Sequence, residues 1–197
     1  MYAVWTIDPS HEDCDTCTAI EATQDGWWYS ALLPRRRRIV AYHTTASHPT
    51  AQQARTASGF KDLLLATSSL VSGLLLAAAA SPTMMPGYPR MTAANSTIMS
   101  PAVSVKQRWC CVGDCALAFD PLSSQGMATA IDSGILLGKA LASKDSDRSA
   151  SLKSYAVHLA NVFNAYVEGL AFHYGREDRF EDSAFWREQR QSRFELE

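Results

Sequence analysis

The sequence predicts an α+β chain in which an antiparallel sheet comes first and helices follow. Short runs rich in β-branched and aromatic residues fill the first 45 positions, separated by turn-forming strings. From about residue 127 onward the apolar residues recur at three-four spacing instead. Between these regions lies "CCVGDCALAFDPLSSQGMATAIDSG" (110–134), an apolar strand running into Gly-Asp, an Asp-Pro bend and a helix of small residues.

Taken in order, "YAVWTI" (2–7) reads as a strand, followed by a polar loop to about Asp15. "CTAIEAT" (17–23), "WWYSALL" (27–33) and "IVAYHTT" (39–45) are separated by Gln24-Asp25-Gly26 and by Pro34 with four arginines, so an antiparallel meander is expected. Strand alternation places Trp27, Tyr29, Ala31 and Leu33 on one face and Trp28, Ser30 and Leu32 on the other. Large rings on both faces are consistent with core on both sides, or with core on one side and a pocket or interface on the other. The Arg35–Arg38 run reads as a solvated turn between strands or as an anion contact. An α region follows from about Thr50 to Ala80. Within it "LLLATSSLVSGLLLAAAA" (63–80) approaches membrane-spanning length, but serines, a threonine and a glycine interrupt it. Its leucines recur as on a buried amphipathic helix.

Residues 81–101 hold four of the eight prolines and read as an irregular connection. Helices are expected over 127–141 and from about Leu152, where Leu152, Tyr155, Leu159, Val162, Phe163, Tyr166 and Leu170 share a face. The charged, aromatic tail from Arg176 reads as a last helix. Domain boundaries are accordingly drawn at 1–101, 102–145 and 146–197.

The chain has 197 residues, 47% of them hydrophobic, and a net charge of −2. That is enough for a real core, and gives no broad basic surface for nucleic acid. Met1-Tyr-Ala-Val-Trp lacks the basic and apolar regions of a signal peptide, and five cysteines make an odd count, so free thiols in a reducing, cytoplasmic compartment are expected. Cys14-x-x-Cys17 with Cys110, Cys111 and Cys115 could be drawn as a zinc site. The second group is not another C-x-x-C, and adjacent strand residues point to opposite faces, so no metal is expected.

The chemistry of 110–134 is that of a site for a phosphate-bearing or electron-rich ligand. A glycine at a strand end lets another group approach the backbone, and the carboxylate of Asp114 can accept hydrogen bonds from ligand hydroxyls. The first N–H groups of the following helix have no partner within it and form an electropositive end. A plain strand-turn-helix corner is the competing reading.

"GDCALAFDPLSSQGMATAIDSG" (113–134) resembles the second flavin-binding motif of FAD-dependent monooxygenases and flavin-dependent halogenases, with about ten pattern residues in register. "DGWWYSALLP" (25–34) is similar to the substrate-domain sheet of those enzymes and "EDSAFWREQR" (181–190) to their C-terminal region. The resemblance implies a substrate-domain sheet, the second half of a Rossmann-like FAD-binding domain, and C-terminal helices. It further implies that Asp114 bonds the ribityl chain, that Gly113 makes room for FAD and that Pro121 lies beside the isoalloxazine. The backbone near Gly126 and Met127 would face the flavin N1/O2 edge, and Ser124 completes the cofactor-binding set. Cys115 would be a buried spacer. Trp27, Trp28 and Tyr29 are the candidate substrate-pocket residues. No catalytic base or nucleophile is singled out; His43 and His48 near the end of the sheet read as surface residues.

No Gly-x-Gly-x-x-Gly occurs before the motif, and the halogenase string Trp-x-Trp-x-Ile-Pro is absent, with "GWWYSALLP" nearest to it. The resemblance therefore implies a truncated enzyme, nearer the monooxygenase branch, which includes relatives similar to tryptophan-hydroxylating maturases. Intact relatives oxidise aromatic substrates through a flavin hydroperoxide. The expected substrate is a small aromatic or peptidyl aromatic group, with no nucleic acid or membrane partner. A second chain carrying the Gly-rich half is a possible partner, and weak or no FAD retention by this chain alone is expected. The alternative is a non-catalytic remnant or partner-binding module.

Overall fold

A computed structural model of the chain describes residues 1–7, 16–77 and 82–191. Cys14, the loop to Asp15, the alanines 78–80 and the tail beyond 191 lie outside the described residues. The chain divides into two units, residues 1–92 with 175–197, and residues 93–174. The boundaries drawn from sequence stood at 101/102 and 145/146.

The first unit is built on five strands: β1 (Tyr2–Thr6), β2 (Ala19–Thr23), β3 (Gly26–Leu33), β4 (Arg37–His43) and β5 (Thr83–Met84). They pair antiparallel in the order β2-β3-β4-β1-β5, so the expected meander is present and β1 closes against β4. Gly26 fixes the first hairpin by close approach, since a Cβ there would lie 2.1 Å from the His43 carbonyl oxygen. The arginine run is not wholly a turn. Arg35 and Arg36 sit in a left-handed bend, whereas Arg37 and Arg38 belong to β4. Arg38 is fully buried and donates to Ser30 Oγ at 3.1 Å.

One sheet face packs Ala3, Trp5, Trp28, Val40 and Tyr42 against three helices, α1 (Pro49–Gln53), α2 (Ala57–Thr67) and α3 (Leu70–Ala77), which contribute Ala54, Phe60, Leu63, Leu64, Val71 and Leu75. The single amphipathic helix expected from Leu63 onward is in fact α2 and α3, bent by 114°. The break has a local cause. Glu21 on β2 accepts from the N–H groups of Ser69, Leu70 and Val71 and from the hydroxyls of Ser68 and Ser69. These N–H groups are those an α-helix leaves unpaired at its start. Among the described residues no single helix is long and apolar enough to cross a membrane, although the bent α2–α3 pair would pass by length and composition.

The second unit contains two small ladders, β6 (Thr97–Ile98) with β9 (Leu117–Ala118) and β7 (Val103–Ser104) with β8 (Trp109–Cys110). Two long helices follow, α4 (Gly126–Ala142) and α5 (Asp145–Gly175). The face of α5 expected from sequence is buried except for half-buried Val162, and extends to Tyr174, as Leu152, Tyr155, Leu159, Phe163, Tyr166, Leu170 and Tyr174. The helix opens seven residues earlier than expected, with Asp145 in its first turn and paired to Arg148. A final helix, α6 (Ala184–Gln191), belongs to the first unit. There Phe185 and Trp186 are buried, and Trp186 Nε1 donates to the Thr23 carbonyl at 2.8 Å.

Candidate functional site

The motif of residues 110–134 lies in the second unit. Its strand is shorter than expected. β8 ends at Cys110, Val112 is extended, and Gly113–Cys115 forms one 3-10 turn. Gly113 holds φ +59, a left-handed conformation that favours glycine. A Cβ there would meet the Ala130 Cβ at 3.5 Å, and its N–H donates to the buried Ser133 hydroxyl at 3.1 Å. The side of Gly113 on which a Cβ would stand is thus turned to α4, so its glycine serves the joint with that helix. Asp114 and Cys115 are exposed, so the sequence reading of Cys115 as a buried spacer does not hold.

Residues Pro121–Ser123 form a second 3-10 turn whose first N–H is capped by Asp120, with Oδ1 accepting from Leu122 at 2.8 Å. Ser124 then takes φ +53, and α4 begins at Gly126 with no side chain capping it. Pro121, Ser124 and Gln125 are exposed, Met127 is 83% exposed, and a Cβ at Gly126 would meet open space. Asp114, Pro121, Ser124, Gly126 and Met127 therefore all lie on accessible surface of the same unit. An uncapped start to a 17-residue helix is a local positive potential with donors facing outward.

Three tyrosines on the inner face of α5 hold this motif in place; the sequence reading placed Tyr155 and Tyr166 on that face without giving them this role, and did not name Tyr174. Tyr155 donates to the Cys111 carbonyl at 2.8 Å, just before the first 3-10 turn. Tyr166 accepts from the Asp120 N–H at 2.8 Å and shares a hydrogen bond with Ser96, and Tyr174 donates to Asp120 Oδ2 at 2.9 Å. The sequence signal was tyrosine recurring on a face that aliphatic residues would have filled equally well.

The substrate-pocket candidates are in the first unit. Trp28 is fully buried in the core, tilted on Tyr42 at 4.5 Å and edge-on to Phe60 at 5.3 Å, with Nε1 donating to Thr67. Its ring has no face left for a ligand. Trp27 and half-buried Tyr29 occupy the opposite sheet face. Trp27 is stacked on its cross-strand partner His43, with centroids 3.8 Å apart and planes 8° apart. Burial, with a smaller contribution from the N-terminal ammonium, lowers His43 to about 3, so its ring is neutral rather than a titrating surface imidazole. His48 instead caps α1, accepting from the Thr50 N–H. Among the described residues no group of three or more His, Cys, Asp or Glu is arranged to hold a metal.

The architecture is that of the flavin-dependent halogenases and FAD-dependent monooxygenases. The halogenase CmlS superposes with a TM-score of 0.77 at 23% identity over 96% of this chain and 34% of its own. The peptidyl tryptophan dihydroxylase QhpG, essential for tryptophylquinone cofactor biogenesis, does so with a TM-score of 0.60 at 19% identity over 95% of this chain and 42% of its own. In sequence the chain is 26% identical over 167 residues to LodB of Marinomonas mediterranea, a provisionally assigned FAD-dependent oxidoreductase, covering 85% of this chain and 42% of that protein. No family model matches the sequence. The chain spans less than half the length of each of these three proteins.

Proposed function

We propose that this chain is the isoalloxazine and ribityl side of an FAD-dependent oxidoreductase that oxidises an aromatic substrate, by hydroxylation rather than halogenation. The observation that carries the reading is the motif itself. Its Gly-Asp, Asp-Pro and helix start are in register with the family pattern, and they form two tight turns leading into an uncapped helix.

The residues present fit a flavin. Asp114, exposed beside left-handed Gly113, would accept hydrogen bonds from ribityl hydroxyls. Pro121, with no N–H of its own, and Ser124 would border the ring system. The N–H groups at Gly126 and Met127 would donate to the pyrimidine edge and stabilise negative charge there. The flavin, when bound, supplies the two-electron redox chemistry with O2 that no side chain here provides. On the first unit, half-buried Tyr29 would meet the aromatic substrate, while Trp27 is 2% exposed and neutral His43 stacked on its ring would keep it in orientation without adding a charge.

Nothing in these residues cradles a pyrophosphate. Several charge-assisted hydrogen bonds of roughly 1.5–3 kcal/mol each would have to come from a Gly-rich segment outside these 197 residues. The test is a titration of FAD, FMN and ADP into the purified chain, followed by flavin fluorescence. FAD and FMN are expected to bind weakly, with dissociation constants near millimolar and within about threefold of each other. ADP should not compete, and Asp114→Ala should weaken both flavins about tenfold, one charged hydrogen bond's worth. Competition by ADP with no effect of Asp114→Ala would overturn the reading.

One observation favours the reading of a module that needs a partner segment. Met127, Ile131, Ile135 and Leu141 leave an apolar stripe on α4 that is 46–83% exposed, next to Gly134 and Gly138 with open space over them. Co-expression with a Gly-x-Gly-x-x-Gly segment should then raise FAD retention and protect Ile131 and Ile135 amides from exchange.

A further inference from the structure

Two carboxylates stand in the flavin motif, and the structure gives them different environments. Asp114 is exposed on its 3-10 turn. The polar groups of Asp120 are engaged within the unit, its carbonyl accepting from the Ser123 N–H at 3.0 Å. Its Oδ1 accepts from Leu122 N–H, its Oδ2 accepts from Tyr174, and its N–H donates to Tyr166. Tyr166 and Tyr174 are 5% and 2% exposed and stand eight residues apart on one face of α5. The Tyr166 ring also stacks on Phe119 with centroids 4.3 Å apart, immediately before the aspartate. Phenylalanine at either position would fill the same volume, so what the hydroxyls add is the grip on Asp120.

Pro121 has a fixed φ and cannot hydrogen-bond through nitrogen, so once Asp120 is held the direction of the chain into Pro121–Ser123 is set. Five residues later the same path delivers the N–H groups of Gly126 and Met127.

We propose that Tyr166 and Tyr174 are positioning residues of the flavin site, clamping Asp120 so that the loop and the start of α4 keep one orientation, and that Asp120 itself makes no ligand contact. The role rests on the flavin reading above; the clamp on the loop does not. Asp114 is left as the carboxylate that meets the cofactor.

The test uses the whole chain as wild type, Tyr174→Phe, Tyr166→Phe and Phe163→Leu, the last removing volume from the same helix face without touching Asp120. Amide hydrogen exchange at residues 122–129 is measured first. It should rise about tenfold in Tyr174→Phe, which loses a bond to the Asp120 carboxylate, and in Tyr166→Phe, which loses the acceptor of the Asp120 N–H, and stay at the wild-type value in Phe163→Leu even where that variant melts lower. Equal exchange in wild type and both phenylalanine variants overturns the clamp and leaves the flavin reading standing. FMN titration is the second arm, with about tenfold weaker binding expected in Tyr174→Phe and unchanged binding in Phe163→Leu. Wild-type chain that binds no FMN overturns the flavin reading and the role given to the tyrosines, whatever the exchange shows.

Discussion

At the scale of single residues, the neutral histidine on the sheet has a measurable signature. His43 is lowered to about 3 by burial, with a lesser contribution from the N-terminal ammonium, while in the unfolded chain it titrates near 6.5. Below pH 6.5 the unfolded state therefore binds a proton that the native state refuses. Stability is full above that value and falls as the pH drops toward 3, by up to about 1.4 kcal/mol per pH unit. His43→Phe keeps a flat ring against Trp27 and removes the titration. Urea unfolding at pH 7, 5.5 and 4.5 should show a shallower acid loss in the variant by about that slope. Identical slopes would mean that the imidazole is not desolvated in the native state. Sequence alone could not foresee this, because a histidine at the end of a strand carries no mark of the tryptophan that will lie on it from the neighbouring strand.

At the scale of elements, the break between α2 and α3 depends on one carboxylate from another part of the sheet. Burial pushes Glu21 upward, but the hydroxyl of Ser68 and the N–H groups of Ser69, Val71 and Leu70 outweigh it and hold the carboxyl below its ordinary value. Glu21→Ala removes the cap of α3 and is expected to cost about 1–2 kcal/mol, read as a lower melting temperature with faster exchange at Leu70–Ser72. No change would show that Ser68 and Ser69 suffice. The four strands of the meander region and the two long helices were legible because period and turn chemistry agreed along each of them. The apolar run from Leu63 was misread as one helix because leucines on either side of Ser68 continue the same spacing, while the cap that divides them comes from position 21. The motif strand was overestimated for the opposite reason. "RWCCV" is apolar enough for a strand, but only a two-residue ladder with Val103–Ser104 is available to pair with it.

At the scale of the molecule, the resemblance to flavin-dependent monooxygenases and halogenases was legible in three segments. The first unit takes residues 1–92 and then recovers residues from 175 onward. The long helices α4 and α5 lie within one unit and are joined by His158 and Asp132 at 2.9 Å. The returning segment seals the sheet through Phe185 and Trp186 and through a hydrogen bond from Thr45 to Glu188. Trp186→Ala removes a buried indole and its bond to Thr23, and should destabilise the first unit by about 3–5 kcal/mol. Exchange at β2 and β3 amides in mild urea checks this, and wild-type protection there would show that α6 is dispensable to the sheet.

The bond from Trp186 to Thr23 joins residues 163 positions apart. A ribosome adding about 5–20 residues per second makes Trp186 roughly 8–33 s after Thr23. During that interval β2, the edge of the sheet, is out in the cell without the indole that caps its end, and edge strands are where nascent chains pair wrongly. The yield of native protein should therefore depend on translation speed and on whatever shelters that edge while the last helix is still being made.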